Sequence, residues 1–392
     1  MESFYRTHTY LVEHTDAPVR RALMDEIDWN DRLIGIKGTR GVGKTTFLLQ
    51  YAKEKFGSDR SCLYINMNNF YFSGNSLVTF AADFYRHGGR VLLIDQVFKH
   101  PDWSPELRQC YERVPGLKIV FTGSSVMRLK EENSDLRDVV KSYNLRGFSF
   151  REYLNLQAGL SLPAYSLEEI LTAHEPIAQD ILSQVNPVTY LGDYIHHGFY
   201  PFFREKRNFS ENLLKTMNMM IEVDILLLKQ IELKYLPKIK KLFYLLAVNG
   251  HKAPNVSKLA EEIQTSRATV MNYIKYLTDA RLINLIYPQG EEFPKKPAKI
   301  MMHNANLLYP IYPVAVDEQE ALETFFVNAL WKDHRVNKGG NGSTYLVDDS
   351  LSFRICSENV RIRNNPDVYH VHHRWERGKN NQLPLWLFGF LY

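Results

Sequence analysis

Residues 33–46 read LIGIKGTRGVGKTT: a short apolar run, then a glycine-rich turn, a lysine and two threonines. The run from Leu33 to Ile36 has the length and composition of a buried strand. The spacing Gly38-Thr39-Arg40-Gly41-Val42-Gly43-Lys44-Thr45 fits G-x-x-x-x-G-K-[ST] in full. Such glycines let the backbone curl until its N–H groups face a polyphosphate, and the positive end of the following helix adds to their pull. A plain glycine turn requires neither a strand before it nor a helix after it, and here a helix from Lys44 to Phe56 is predicted. Gly38, Arg40, Gly41, Val42, Gly43, Lys44, Thr45 and Thr46 are therefore the expected ATP-binding residues. Lys44 would reach the β and γ phosphates, and Thr45 would ligate Mg2+.

Working outward, residues 91–97 read VLLIDQV, a second strand that ends by exposing an acid. Asp95 is placed to hold Mg2+ through water. The next position, where an ATP-hydrolysing chain usually has a water-activating glutamate, is Gln96. A further run, KIVFTGSS at 118–125, puts Thr122 or Ser124 where a polar group would touch the γ phosphate or its attacking water. With CLYIN at 62–66 these make four apolar runs separated by helical lengths, which predicts an α/β fold around a parallel sheet covered on both faces. We assign residues 1–148 to this P-loop core.

Residues 149–237 turn helical, with SFREYLNL and the long run NLLKTMNMMIEVDILLLKQIEL, and read as a lid. Residues 238–304 show three short helical patterns and two strands. Thr265 to Val270 and the segment after it read as the second helix of a winged helix, with Val270, Ile274 and Leu277 inward and Arg267, Thr269, Asn272 and Lys275 outward. Lys295 and Lys296 would stand at the wing tip. Net charge is only +4, but residues 229–300 hold 13 Lys/Arg against 6 Asp/Glu. That local surplus makes double-stranded DNA the expected partner, with these six side chains on base edges and phosphates. The last segment, 305–392, opens with a helix near Glu318 to Lys332 and closes in an aromatic tail expected to be a buried strand. No apolar run approaches 18 residues, and Cys62, Cys110 and Cys356 lack metal-ligand spacing. A cytoplasmic chain with no membrane partner and idle thiols is expected.

The stretches GTRGVGKTTFL, LLIDQVFKHPDWSPELR, KIVFTGSS, GFSFREYL and LPLWLFGFLY, in that order, resemble a prokaryotic AAA-type P-loop ATPase family related to the archaeal ATPase and STAND groups. The resemblance implies an ATPase core, a winged helix, a C-terminal domain similar to restriction endonucleases, and assembly into homo-oligomers. Three positions depart from it. Gln96 replaces the family's glutamate. The paired arginines that relatives carry after Asp-Leu-Ser are reduced, in Asp135-Leu136-Arg137-Asp138-Val139, to Arg137, which becomes the candidate arginine finger. In the nuclease-like stretch from Val347 to Glu358, Arg354 stands where a carboxylate is expected, and no Glu-x-Lys follows residue 300. A metal nuclease needs those groups, so a degenerate domain without cleavage is expected. His370, His372 and His373, like His196 and His197, lack an acidic or cysteine partner nearby in sequence and read as structural. The reading that results is a nucleotide-controlled switch with weak hydrolysis. An active motor or DNA-remodelling factor, and a non-enzymatic scaffold, are its alternatives.

Overall fold

The computed structural model describes residues 1–129, 131, 133–205, 208–250, 253–314, 316–340, 342–356 and 365–392. The chain divides into two compact units, Met1–Gly147 and Phe148–Tyr392.

The first unit runs α1 (Glu2–His14), α2 (Leu23–Glu26), β1 (Leu33–Gly38), α3 (Lys44–Lys55), β2 (Cys62–Asn66), α4 (Leu77–Arg86), β3 (Val91–Asp95), α5 (Trp103–Arg113), β4 (Lys118–Ser124) and β5 (Lys141–Asn144). Its sheet is parallel throughout, in the order β2-β3-β4-β1-β5. Parallel strands must be joined by crossovers, so helices cover the faces and the inner strands become apolar along their whole length. All five residues of β3 are buried accordingly. The strand β5 was not expected, because three of the four residues of its sequence KSYN are polar and none is fully buried. It completes the sheet by lying beside β1, with Ile34 opposite Lys141 and Lys37 opposite Asn144.

The opposite edge, β2, is covered by α1, a helix the sequence reading also missed. His8 on α1 is buried, and its Nδ1 accepts the outward N–H of Tyr64 at 3.0 Å. A sheet edge left with bare N–H groups invites pairing with other chains, and a helix laid over it removes that hazard. Burial holds the His8 pKa below the ordinary histidine value, in keeping with a neutral ring used as an acceptor.

The second unit begins with α6 (Phe150–Ala158) and α7 (Leu167–Gln184). Each opens on a reciprocal capping box, Ser149 with Glu152 and Ser166 with Glu169. The helices α8 (Val188–Asp193), α9 (Phe209–Met219) and α10 (Leu226–Lys229) follow, then α11 (Leu236–Asn249), α12 (Val256–Glu262) and α13 (Arg267–Asp279). An antiparallel ribbon of β6 (Ile283–Ile286) and β7 (Lys299–Met302) comes next. The short α14 (Leu308–Ile311) and the buried α15 (Glu318–Leu330) precede a mixed sheet of β8 (Val336–Lys338), β9 (Tyr345–Val347), β10 (Leu351–Cys356), β11 (Val368–His372) and β12 (Gln382–Pro384). Its order is β12-β11-β10-β9-β8. The aromatic tail is buried as expected but is a 3-10 helix, Leu385–Phe390, rather than a strand. Every one of its six residues is buried, so no face is left to alternate with solvent. Phe388 packs on Phe326 of α15, and Phe390 packs on Phe150 of α6. Among the described residues no helix is long and apolar enough to cross a membrane.

Candidate functional site

The predicted cradle forms between β1 and α3. Gly41 (φ 80°) and Gly43 (φ 94°) both take the left-handed backbone that side chains resist, and this is what turns the loop back on itself. Gly38 is required for a different reason, since a Cβ there would lie 2.5 Å from the carbonyl oxygen of Leu145. Gly43 is the N-cap of α3 and supplies no side chain to cap the helix. The amino end of a 12-residue helix is thus left to face an anion. Lys44 Nζ donates to the carbonyls of Gly38 and Thr39, both at 2.8 Å, and so lies folded over the loop.

A buried arginine that the sequence reading missed holds the loop from behind. Arg21 precedes α2 and is 7% exposed. Its Nη1 donates to the Val42 carbonyl at 3.1 Å, and its Nη2 donates to those of Arg146 at 2.7 Å and Gly147 at 3.0 Å. A planar guanidinium presents its donors in a fixed fork, so it can tie carbonyls from separate stretches of chain in one geometry.

Asp95 is the node of the site. It ends β3 at 1% exposure, and Thr45 Oγ1 donates to its Oδ2 at 2.7 Å. The same oxygen accepts from Tyr64 OH at 2.9 Å and from Asn66 Nδ2 at 3.4 Å, while Oδ1 accepts from Thr122 Oγ1. Register explains the assembly. Asn66 is the partner of Asp95 on β2, and Thr122 lies one step beyond the Ile94–Phe121 pair on β4. Gln96 follows in a left-handed conformation (φ 55°), and its N–H donates to Thr122 Oγ1 at 2.9 Å. Its side chain is half-buried. Thr122 therefore spends its proton on Asp95 and a lone pair on Gln96. Ser124 is only 2% exposed, and its Oγ accepts the Val126 N–H at 3.4 Å. Arg137 is exposed in a segment fastened to α5 by the Arg108–Asp138 ion pair at 2.7 Å.

The oxygen donors suit the group that the motif implies. Thr45 and Asp95 are in contact at the end of a glycine loop, and Mg2+ takes carboxylate and hydroxyl oxygens together with water. Of the site residues missed by sequence reading, Tyr64 and Asn66 left a faint signal. They sit two apart on a strand, hence on one face.

In the second unit Val270, Ile274 and Leu277 of α13 face inward as expected. Arg267, Asn272, Lys295 and Lys296 are exposed, whereas Thr269 and Lys275 are half-buried. Thr269 belongs to the helix cap: its N–H and hydroxyl both meet Ser266 Oγ. Lys275 Nζ lies 5.2 Å from the ring centre of Phe293, which brings α13 beside the connector carrying Lys295 and Lys296. Two of the segment's lysines, Lys240 and Lys299, pair with acids outside it, while Lys229 and Lys295 pair with acids already counted within it. Lys229 pairs with Asp279 at 3.6 Å, Lys240 with Glu222 and Lys299 with Glu323 at 2.5 Å each, and Lys295 with Glu291 at 3.3 Å.

In the nuclease-like stretch, Asp348 and Asp349 have φ of 48° and 60° and form the tight turn between β9 and β10. They are the first two of the three residues that link these strands, and aspartate tolerates the left-handed backbone there better than most side chains. The Asp348 carboxylate is engaged by His334 Nδ1 at 2.6 Å and the Arg335 N–H at 2.9 Å. Arg354 on β10 lies opposite His370 on β11. Ser357 and Glu358 lie outside the described residues. His370 and His372 are buried, and among the described residues no three His, Cys, Asp or Glu side chains are placed to hold a metal.

Residues 30–154 match the family model described as an AAA domain, and residues 188–308 match one described as a domain of unknown function (DUF8612). Two proteins of Methanocaldococcus jannaschii, both described as uncharacterized, are similar along the chain. MJ1637 is 27% identical over 70% of this chain and 61% of its own length; MJ1544 is 24% identical over 64% and 55%. The chain thus spans less than two thirds of these relatives. AMPPCP-bound DnaA from Aquifex aeolicus is a solved structure with some likeness, at 14% identity over 70% of this chain and 87% of that one. Its TM-score of 0.26 is too low to carry an argument. The first unit is an AAA-type α/β domain with a P-loop and a five-stranded parallel sheet.

Proposed function

We propose that this protein binds ATP with Mg2+ in the cradle of residues 38–46 and uses the nucleotide as a switch, with weak hydrolysis. The observation that carries the reading is the contact between Thr45 Oγ1 and Asp95 Oδ2 at 2.7 Å, beside a loop over which Lys44 is folded. Thr45 and Asp95 would hold the cation; Lys44 and the backbone of the cradle would hold the phosphates. A cation held there would offset the charge of the phosphates. Gln96 supports slow turnover, since an amide can position water but cannot take its proton. Of Thr122 and Ser124, it is Thr122 that is bonded to Asp95 and to the Gln96 N–H, and Arg137 is the finger candidate if copies assemble.

The second unit would act as a lid (149–237), a winged helix (238–304) and a degenerate nuclease-like domain (305–392) that respond to the nucleotide state. Three helices and an antiparallel ribbon support the winged helix, and exposed Arg267, Asn272, Lys295 and Lys296 support contact with DNA. A second reading, in which this module only packs, is favoured by the ion pairs that absorb its lysines. The engagement of Asp348 in a turn and Arg354 in the place of a carboxylate support the absence of cleavage. The central reading is tested by binding of a fluorescent ATP analogue. Lys44→Ala should weaken it by about a hundredfold or more, because a methyl group replaces a charge-assisted contact with two phosphates. Equal affinity in the variant would refute ATP binding in this cradle.

A further inference from the structure

Asp95 accepts hydrogen bonds from four uncharged donors, Thr45, Tyr64 and Asn66 on Oδ2 and Thr122 on Oδ1. The torsion that turns a carboxylate about its own axis is broad, so its direction is set by such donors rather than by the chain. Thr45 cannot set it alone, because that hydroxyl is itself expected on the cation. Tyr64 is better fixed. It is 4% exposed, its main-chain N–H is tied to His8, and Asn66 Nδ2 steadies the phenol oxygen at 3.4 Å.

We propose that Tyr64, supported by Asn66, is a positioning residue for the Mg2+ site, its phenol holding the Asp95 carboxylate in the orientation that Mg2+ requires. This rests on the reading of the cradle as an ATP·Mg2+ site. A carboxylate has no proton to give, so in this contact the phenol is the donor. Phenylalanine at this position keeps the ring in its packing and deletes one hydrogen bond to a charged acceptor. Such a bond is worth about tenfold or more in an equilibrium.

The full chain is titrated with a fluorescent ATP analogue in excess Mg2+ and again in EDTA, and the ratio of the two affinities is compared between proteins. Tyr64→Phe should lower the ratio by about tenfold and leave the EDTA affinity unchanged. Asn66→Ala should lower it by roughly threefold, as a weaker and longer contact would. Loss of packing alone would depress both affinities and the melting temperature while leaving the ratio intact. A ratio retained in Tyr64→Phe, or one that rises because the phenol competes with the cation, overturns the proposal. Should Tyr64→Phe not fold, an unchanged ratio in Asn66→Ala overturns it instead. A parent ratio near one would overturn the ATP·Mg2+ reading and this assignment together, whereas a large parent ratio preserved in both variants overturns the assignment alone.

Discussion

At position 96 the chain has an amide where the family it resembles carries a carboxylate, a group of nearly the same size, in a backbone that Thr122 holds. What changes is basicity. Loss of a general base costs on the order of 10² to 10⁴ in rate, so Gln96→Glu should raise phosphate release at saturating ATP by at least about a hundredfold. No gain, with ordinary turnover in the parent chain, would mean that another group serves as base. The residues of the cradle were legible in sequence because they are contiguous: a loop and a helix start fix Gly38 to Thr46 relative to one another. Asp95 and Thr122 were legible because each ends a recognisable apolar run. Arg21 and Tyr64 were not. Their partners lie across the sheet or far along the chain; a lone arginine carries no local mark of its use, and Tyr64 carries only the faint one of sharing a strand face with Asn66.

Among the elements, α1 and the β9–β10 hairpin make separable predictions. His8 has a folded pKa below the ordinary value near 6.5, so its contribution to stability is complete above that value and is lost as the pH falls through the folded pKa. The melting temperature of the parent should therefore drop between about pH 7 and pH 5. His8→Gln keeps an acceptor for Tyr64 and removes the titration, so it should drop less; equal losses would contradict the role of the ring. In the hairpin, Asp349 occupies φ 60°, where glycine is free of steric cost. Asp349→Gly should leave stability unchanged or raise it by up to about 1 kcal/mol in thermal unfolding. A clear loss would show that the carboxylate has a partner worth more than the backbone relief. Sequence patterning found the buried strands β1 to β4 but not β5 or α1, since edge elements are half polar and take their place from what they cover. The tail failed in the opposite way: a run that is buried on every side carries no period by which strand and 3-10 helix can be told apart.

At the scale of the whole chain, the small net charge conceals a basic segment, of whose surplus Glu222 and Glu323 offset two charges. Affinity for double-stranded DNA should fall with salt, and replacing Arg267, Lys275, Lys295 and Lys296 together by alanine should flatten the slope by about one unit for each phosphate contact removed. A variant that keeps the parent slope would favour the packing reading. Incubation of supercoiled plasmid with the full chain and Mg2+ or Mn2+ should leave it uncut; metal-dependent cleavage abolished by Asp348→Ala would revise the assignment of the 305–392 segment. The back wall of the cradle has a consequence for how the chain comes to be folded as it is made. Leu145 donates its N–H to Lys37 at 2.8 Å and sets its carbonyl against Gly38, while Arg146 and Gly147 supply two of the acceptors of Arg21. Those three residues are the last of the first unit to leave the ribosome. Until they emerge the guanidinium lacks those acceptors, and until β5 just before them emerges β1 lacks its outer neighbour. The earliest motif in the chain is therefore among the latest to acquire its shape, and a nascent chain halted at Val140 would carry every phosphate-binding residue of the loop without a finished wall to set it against.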